Sequence, residues 1–262
     1  MNFHRSLLRS VIFVAVLLAA AIPFSAHAAQ ETGLSPAAQQ AGDAYLRALS
    51  AAGAAYAQRD FAKALDKLDI ADQIAPNIPD TWNMRGAIYA EEHAFEKAED
   101  AFEKAGKLTP GDFWPQYNVA ELLLMQKKFE PAAAAFEKLE VYGGHEELVQ
   151  FKIVYADLLA GNGDAAKPVL DAMKFPCDTP AYYYAHAAWS FAHKDPKQGN
   201  YFTAAGLKVF GLRSVSFYDA LAQAGWVPMR SADGSVPEST DLTTLPGATP
   251  SLDVLPQGGA TP

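Results

Sequence analysis

Residues 79–111 constrain the fold more than any other part of this 262-residue chain. Aromatic and small side chains recur there at i, i+4 and i+7, so each group occupies one face of a helix. The first helix carries Trp82, Gly86 and Tyr89, and the second carries Ala98, Phe102 and Ala105, followed by Pro110. The spacing predicts two antiparallel helices that touch closely where the side chains are small.

These residues resemble the marks of the tetratricopeptide repeat (TPR), a helix–turn–helix unit of about 34 residues. The one departure is Arg85, which stands where the family usually has leucine. The resemblance implies an all-α fold, a right-handed α-solenoid of TPR repeats that ends in a capping helix.

Counting 34 residues forward extends the pattern, and counting backward extends it for the second helix only, because Gly53 and Tyr56 of the first helix each come one place late. The backward count reaches Phe61, Ala64, Leu68, Ala71 and Pro76. The forward count reaches Ala120, Leu123, Phe129, Ala132, Phe136 and Leu139, and predicts helices over 113–126 and 130–141. The predicted repeats lie near 45–78, 79–112, 113–146, 147–180 and 181–212, with a cap at 213–227. Three consecutive units are about the minimum that can bury a shared core.

Residues 1–28 have the pattern of a secretory signal peptide. Arg5 and Arg9 precede an apolar run over 11–21, and a small-x-small cleavage pattern ends at Ala28, with Ala29 as the alternative site. A membrane anchor is the other interpretation, but the run is shorter than the ~20 residues that a span needs. We therefore expect a periplasmic or secreted protein without stable membrane insertion after cleavage.

Composition and charge indicate a disordered tail and limit the classes of partner. Residues 228–262 are rich in Pro, Gly, Ser and Thr, which predicts a disordered tail. Without residues 1–28 the chain has 19 basic against 30 acidic residues, a net charge of −11. That excess opposes nucleic acid or an anionic membrane as partner. The only cysteine, Cys177, rules out an internal disulfide within one chain.

No catalytic or metal-binding motif stands out. His93 and His145 are expected in solvent, and His186 and His193 lie too far apart on one helix to share a metal ion. The carboxylate pairs are interpreted as solvating charge: Glu91/Glu92, Glu99/Asp100 and Glu146/Glu147. We predict a non-enzymatic protein without metal or cofactor. The alternative is an envelope enzyme or ligand-binding subunit that uses the aromatic stretch 181–227.

The TPR resemblance implies a concave groove lined by the first helix of each repeat. Carried over by position, the groove residues are Asn83, Ala87, Glu91, Tyr117, Asn118, Glu121 and Met125. In such grooves Asn holds a peptide backbone and Tyr117 offers an apolar platform; alternatively Asn118 caps locally and Tyr117 is core. The positions that clamp a C-terminal carboxylate in the family hold no cation, so a neutral or basic apolar segment fits better. We predict a scaffold for a protein or peptide, with homo-oligomerisation as a further alternative.

Overall fold

Eleven α-helices follow one another, without a β-strand, in the part of the chain that the computed structural model describes, residues 35–231 and 234–236. The all-α prediction is therefore confirmed. The chain divides between Met173 and Lys174 into two compact units. The predicted signal peptide and residues 237–262 of the predicted tail lie outside the described residues.

Eight helices form four consecutive pairs in the first unit. Their bounds are α1 Pro36–Ala57, α2 Phe61–Ile74, α3 Pro79–Glu91, α4 Phe95–Leu108, α5 Phe113–Met125, α6 Phe129–Glu137, α7 Glu146–Ala160 and α8 Gly163–Ala172. The first members, α1, α3, α5 and α7, are the A helices, and the second members are the B helices. The helix expected over 130–141 ends earlier, and its last four residues, Lys138–Val141, form a 3-10 helix.

The turn inside each pair has the same backbone conformation at intervals of 34 residues. A left-handed residue occupies each turn: Arg59 (φ 58°), His93 (φ 59°), Lys127 (φ 58°) and Gly161 (φ 78°). The next N–H then donates to the carbonyl five residues earlier: Asp60 to Ala55, Ala94 to Tyr89, Lys128 to Leu123 and Asn162 to Asp157, at 2.8–2.9 Å. This is the Schellman cap, which satisfies carbonyl groups at a helix end. The repeat is thus present in the backbone as well as in the side chains.

The contact between α3 and α4 explains the small residue at position 86. A Cβ atom on Gly86 would lie 2.5 Å from Cε1 of Phe102, so only glycine lets this ring pack against the α3 backbone. Ala98, Phe102 and Ala105 are buried on α4, whereas Trp82 and Tyr89 are half-buried. Pro110 lies two residues after the end of α4 and is exposed.

Arg85, the departure from the TPR pattern, is buried and reaches the preceding pair. Its guanidinium donates to Asp69 at 2.6 Å and to Asp72 at 2.7 Å, both on α2. Burial opposes the charge, but the two carboxylates outweigh it and raise the pKa of Arg85 above its ordinary value. An ionic contact between pairs thus stands where the family usually has an apolar one.

The second unit contains α9 Ala181–Ala192, α10 Pro196–Phe210, a 3-10 helix Gly211–Ser214 and α11 Val215–Gln223. Its helices meet with the roles of glycine and ring exchanged. Cβ atoms on Gly199 and Gly206 of α10 would lie 2.6 Å and 2.7 Å from ring atoms of Phe191 and Tyr184 on α9. The aromatic stretch is thus largely occupied by packing between its own helices.

Residues that directly follow α11 are attached to it. The hydroxyl of Tyr218 donates to the carbonyl of Pro228 at 2.9 Å. Arg230 pairs with both oxygens of the buried Asp219 at 2.7 Å. The predicted tail begins at 228, so its first residues belong to the second unit. Among the described residues, the helices are either too short or too polar to cross a membrane.

Candidate functional site

The residues predicted to line a groove lie on two neighbouring A helices. α3 carries Asn83, Ala87 and Glu91, and α5 carries Tyr117, Asn118, Glu121 and Met125. We call this set the A-helix face. Asn83 and Met125 are partly exposed, whereas the other five residues are buried. Contacts from neighbouring helices account for this burial.

A buried ion pair joins α5 to α7. The Nζ atom of Lys152 lies 2.7 Å from Oε1 of Glu121, and both side chains are largely shielded from solvent. The ring centroids of Tyr117, Phe151 and Tyr155 lie 5.8–5.9 Å from the same Nζ atom, so the cation is enclosed by aromatic faces. Lys152 was not predicted as part of the site, although it follows Asn118 by one repeat length.

A second ion pair joins the turn after α1 to the end of α3. Arg59 Nη1 lies 2.7 Å from Oε2 of Glu91; the carboxylate side chain is 4% exposed and the arginine 52%. The interpretation of Glu91 as solvating charge is therefore wrong, while Glu92 is exposed. Arg59 reaches this acid from the left-handed turn position, and its guanidinium also lies 5.0 Å from the Phe61 ring centroid.

Tyr117 and Asn118 are adjacent in sequence but have different surroundings. The Tyr117 ring packs in the core against Phe113 and Phe136, with centroids 5.3 Å and 5.6 Å away. The buried Oδ1 of Asn118 has no hydrogen-bond partner among the described residues, so Asn118 does not cap a helix. Asp112 caps α5 instead. A buried amide oxygen without a partner costs about 1–3 kcal/mol, which a bound donor would recover.

Three solved structures share this arrangement of helices. TTC0263, a thermophilic TPR protein of Thermus thermophilus, is 17% identical over 68% of this chain and 99% of its own, with a TM-score of 0.53. PilF of Pseudomonas aeruginosa is 14% identical over 71% and 90%, with a TM-score of 0.51. PilW, a type IV pilus biogenesis factor, is 16% identical over 70% and 88%, with a TM-score of 0.51. The chain has the tetratricopeptide-repeat fold. No protein-family model and no curated protein matches the sequence.

Three cations of the first unit could in principle bind a carboxylate ligand, as the cations of a carboxylate-clamping TPR groove do. Arg59, Arg85 and Lys152 each pair with a carboxylate of the protein itself. The sequence comparison with the carboxylate-clamping positions of the TPR family missed these three cations, because they lie at other positions of the repeat. Their charges are already compensated, so they offer a carboxylate ligand little net attraction.

Three tyrosines lie near the Glu121–Lys152 and Arg59–Glu91 ion pairs of the first unit. Burial, followed by the charge of Glu121, raises the pKa of the Tyr117 and Tyr155 phenols well above their ordinary value. Burial and the charge of Glu91 do the same for the pKa of Tyr56, against a smaller opposing effect of Arg59. These phenols therefore stay neutral at physiological pH.

The raised tyrosine pKa values predict a loss of stability in alkali. Below the unfolded-state pKa of 10.0, both states are protonated and the contribution is fully present. Above it, the unfolded state releases protons first, so the melting temperature should fall steeply from about pH 10 upward. Tyr155→Phe should reduce that slope by about 1.4 kcal/mol per pH unit. Circular dichroism and tyrosinate absorbance, followed together, check this; full tyrosine ionisation with unchanged helicity would contradict it.

Three of the described histidines pack against aromatic rings. His145, expected in solvent, is only partly exposed and stacks on Phe113 with centroids 4.0 Å apart. His186 stacks on Phe202 at 5.0 Å, and His193 on Trp189 at 3.9 Å. Within residues 35–231 and 234–236, no group of three or more His, Cys, Asp or Glu side chains could hold a metal ion.

Proposed function

We propose that this protein is an exported, non-enzymatic TPR scaffold that binds a peptide or partner segment in the cell envelope through the A-helix face. The observation that carries the proposal is Asn118, whose amide oxygen is buried beside the Glu121–Lys152 pair without a hydrogen-bond partner among the described residues. The Oδ1 atom of Asn83 on α3 is buried and lacks such a partner as well. A backbone N–H of an extended segment has the chemistry to satisfy such an oxygen after a small opening of the face.

Charge narrows the class of partner. Residues 35–173 contain 22 acidic against 13 basic residues, and Arg59 and Lys152 pair with Glu91 and Glu121 of the A-helix face. A neutral or basic segment is therefore favoured over an acidic one. Met125, which is partly exposed at the end of α5, adds an apolar contact.

The envelope location rests on two observations. Residues 1–28 have the signal-peptide pattern, and one of the similar structures, PilW, is described as a type IV pilus biogenesis factor. The proposed exported chain then consists of the TPR repeats, the helices up to residue 227 and the Pro/Gly/Ser/Thr-rich tail. Catalysis or ligand binding in 181–227 has less support, because the rings of Tyr184 and Phe191 fill the space against α10.

Site-specific crosslinking in the native envelope tests the proposal. A photoreactive amino acid at Asn83 or at Met125 should crosslink to the same partner, because both positions are partly exposed on the A-helix face. The matched control is Lys107, which is exposed on α4. Equal capture of that partner at Lys107, or none at the two face positions, would place the binding surface elsewhere.

Asn118→Ala provides the second arm of the test. The substitution removes the unpartnered amide oxygen and only a small part of the packing, so the melting temperature should change little. Crosslinking from Met125 should fall about fivefold to tenfold, as the loss of one buried hydrogen bond to the partner predicts. Tyr117→Ala is unsuitable here, because it would leave a cavity between Phe113 and Phe136.

A further inference from the structure

An apolar tip projects from the second unit where α10 ends. Leu212 is 89% exposed and Val209 is 60% exposed, which makes Leu212 the most exposed large apolar side chain among the described residues. Lys208 and Arg213, both exposed, flank them in sequence. We call residues 208–213 the tip. Large apolar side chains exposed next to one another are a feature of interaction surfaces.

Both charged residues of the tip, Lys208 and Arg213, are basic, and the described part of the second unit has a small basic excess. Residues 174–231 contain six basic and three acidic residues, whereas residues 35–173 have a large acidic excess. Arg213 is held in place, because its Nη2 donates to the carbonyl of Asp178 at 2.8 Å. The acceptor in that contact is a backbone carbonyl, which does not neutralise the guanidinium charge beside the tip.

We propose that the tip docks reversibly on an anionic lipid surface, with Val209 and Leu212 inserted at the boundary between headgroups and acyl chains. Two exposed side chains offer far less area than the roughly 800 Å² per partner of a stable protein interface. A lipid surface needs no matching shape, and Lys208 and Arg213 can contact its phosphates.

The whole-chain charge led us to expect no anionic membrane partner, but the net charge hides the local distribution. Charges more than about 8 Å from the lipid surface are largely screened at physiological ionic strength. The local basic residues then decide the sign of the attraction. Such docking involves only the second unit, and it is independent of partner binding on the A-helix face.

Vesicle sedimentation tests the tip. The probe is the exported protein, with its N-terminus read by mass spectrometry, mixed with phosphatidylglycerol-containing or pure phosphatidylcholine vesicles. We expect binding to the anionic vesicles alone and release at about 0.5 M salt, a concentration that strongly screens the attraction. The double variant V209D/L212D should lower the partition coefficient at least tenfold, and Lys208→Gln about fivefold.

Val141→Asp is the matched control, because Val141 is 82% exposed and also lies in a 3-10 helix, but in the first unit. It should leave lipid binding unchanged, and circular dichroism should show that every variant is folded. Absence of binding by the unmodified protein, or equal binding by V209D/L212D, would overturn the proposal. Capture of an acidic protein that depends on the tip, without vesicle binding, would also overturn it and assign the surface to that protein.

Discussion

Replacing Gly86 with leucine should destabilise the first unit by about 3 kcal/mol or more. The Cβ atom alone would come within 2.5 Å of Cε1 of Phe102, and that ring is itself buried in the core. The leucine must therefore separate α3 from α4. Urea unfolding followed by circular dichroism measures the loss, and an unchanged curve would contradict the packing described for this pair.

Gly42→Leu is the control, since Gly42 lies on α1 and a Cβ atom added there would meet no other atom within 4 Å. The exchange should be neutral, or stabilising by up to about 0.8 kcal/mol, because leucine favours helix more than glycine does. A second control combines Gly86→Ala with Phe102→Leu. If the clash with the ring is the cause, the double variant should cost less than the sum of the two single changes.

Lys152→Met should have a similarly large effect, at about 3–5 kcal/mol, because it leaves the Glu121 carboxylate buried without its counter-charge. The pair itself need not stabilise the protein. Adding Glu121→Leu to Lys152→Met should therefore recover most of the loss, since a well-packed apolar pair can replace a buried ion pair. Thermal and urea unfolding of the three variants provide the comparison.

Lys107→Met is the matched control for the ion pair. Lys107 pairs with Glu103 at 3.0 Å on the exposed side of α4, where solvent screens both charges. Its loss should cost no more than about 0.5 kcal/mol. An equal effect at Lys107 and Lys152 would show that burial does not determine the strength of these contacts.

The fold of the first unit was predictable because its period is carried by residues with direct steric consequences. Glycine at 86 and the ring at 102 have to meet, and the same spacing recurs one repeat away in either direction. The break after Met173 was not predicted, since an apolar helix face does not reveal which neighbour covers it. In the second unit the rings of α9 pack on glycines of α10, whereas in the first unit a glycine of α3 receives a ring of α4. Helical periodicity does not distinguish which helix of a pair supplies the glycine.

The candidate site was predictable in position but not in environment. Repeat register identifies Asn118 and Glu121 as residues of one A-helix face. The ion pairs that cover this face join residues 31 or 32 positions apart, Glu121 to Lys152 and Arg59 to Glu91. These pairs form because a long side chain of one repeat extends to an acid of the next repeat. The residue pattern within a single repeat does not show which side chains of neighbouring repeats come into contact.

The left-handed turns recur with the same geometry in every repeat of the first unit, whereas the ion pairs between repeats do not. Because positions 59, 93, 127 and 161 share one backbone state, a helical pair could be duplicated or excised between two of them without new local geometry. The ion pairs lack this interchangeability: Lys152 finds its acid at one junction and Arg59 at another. The turn geometry thus allows repeats to be gained or lost during evolution. A change in the order of the repeats would separate Lys152 from Glu121 and Arg59 from Glu91, and would leave these charges unpaired.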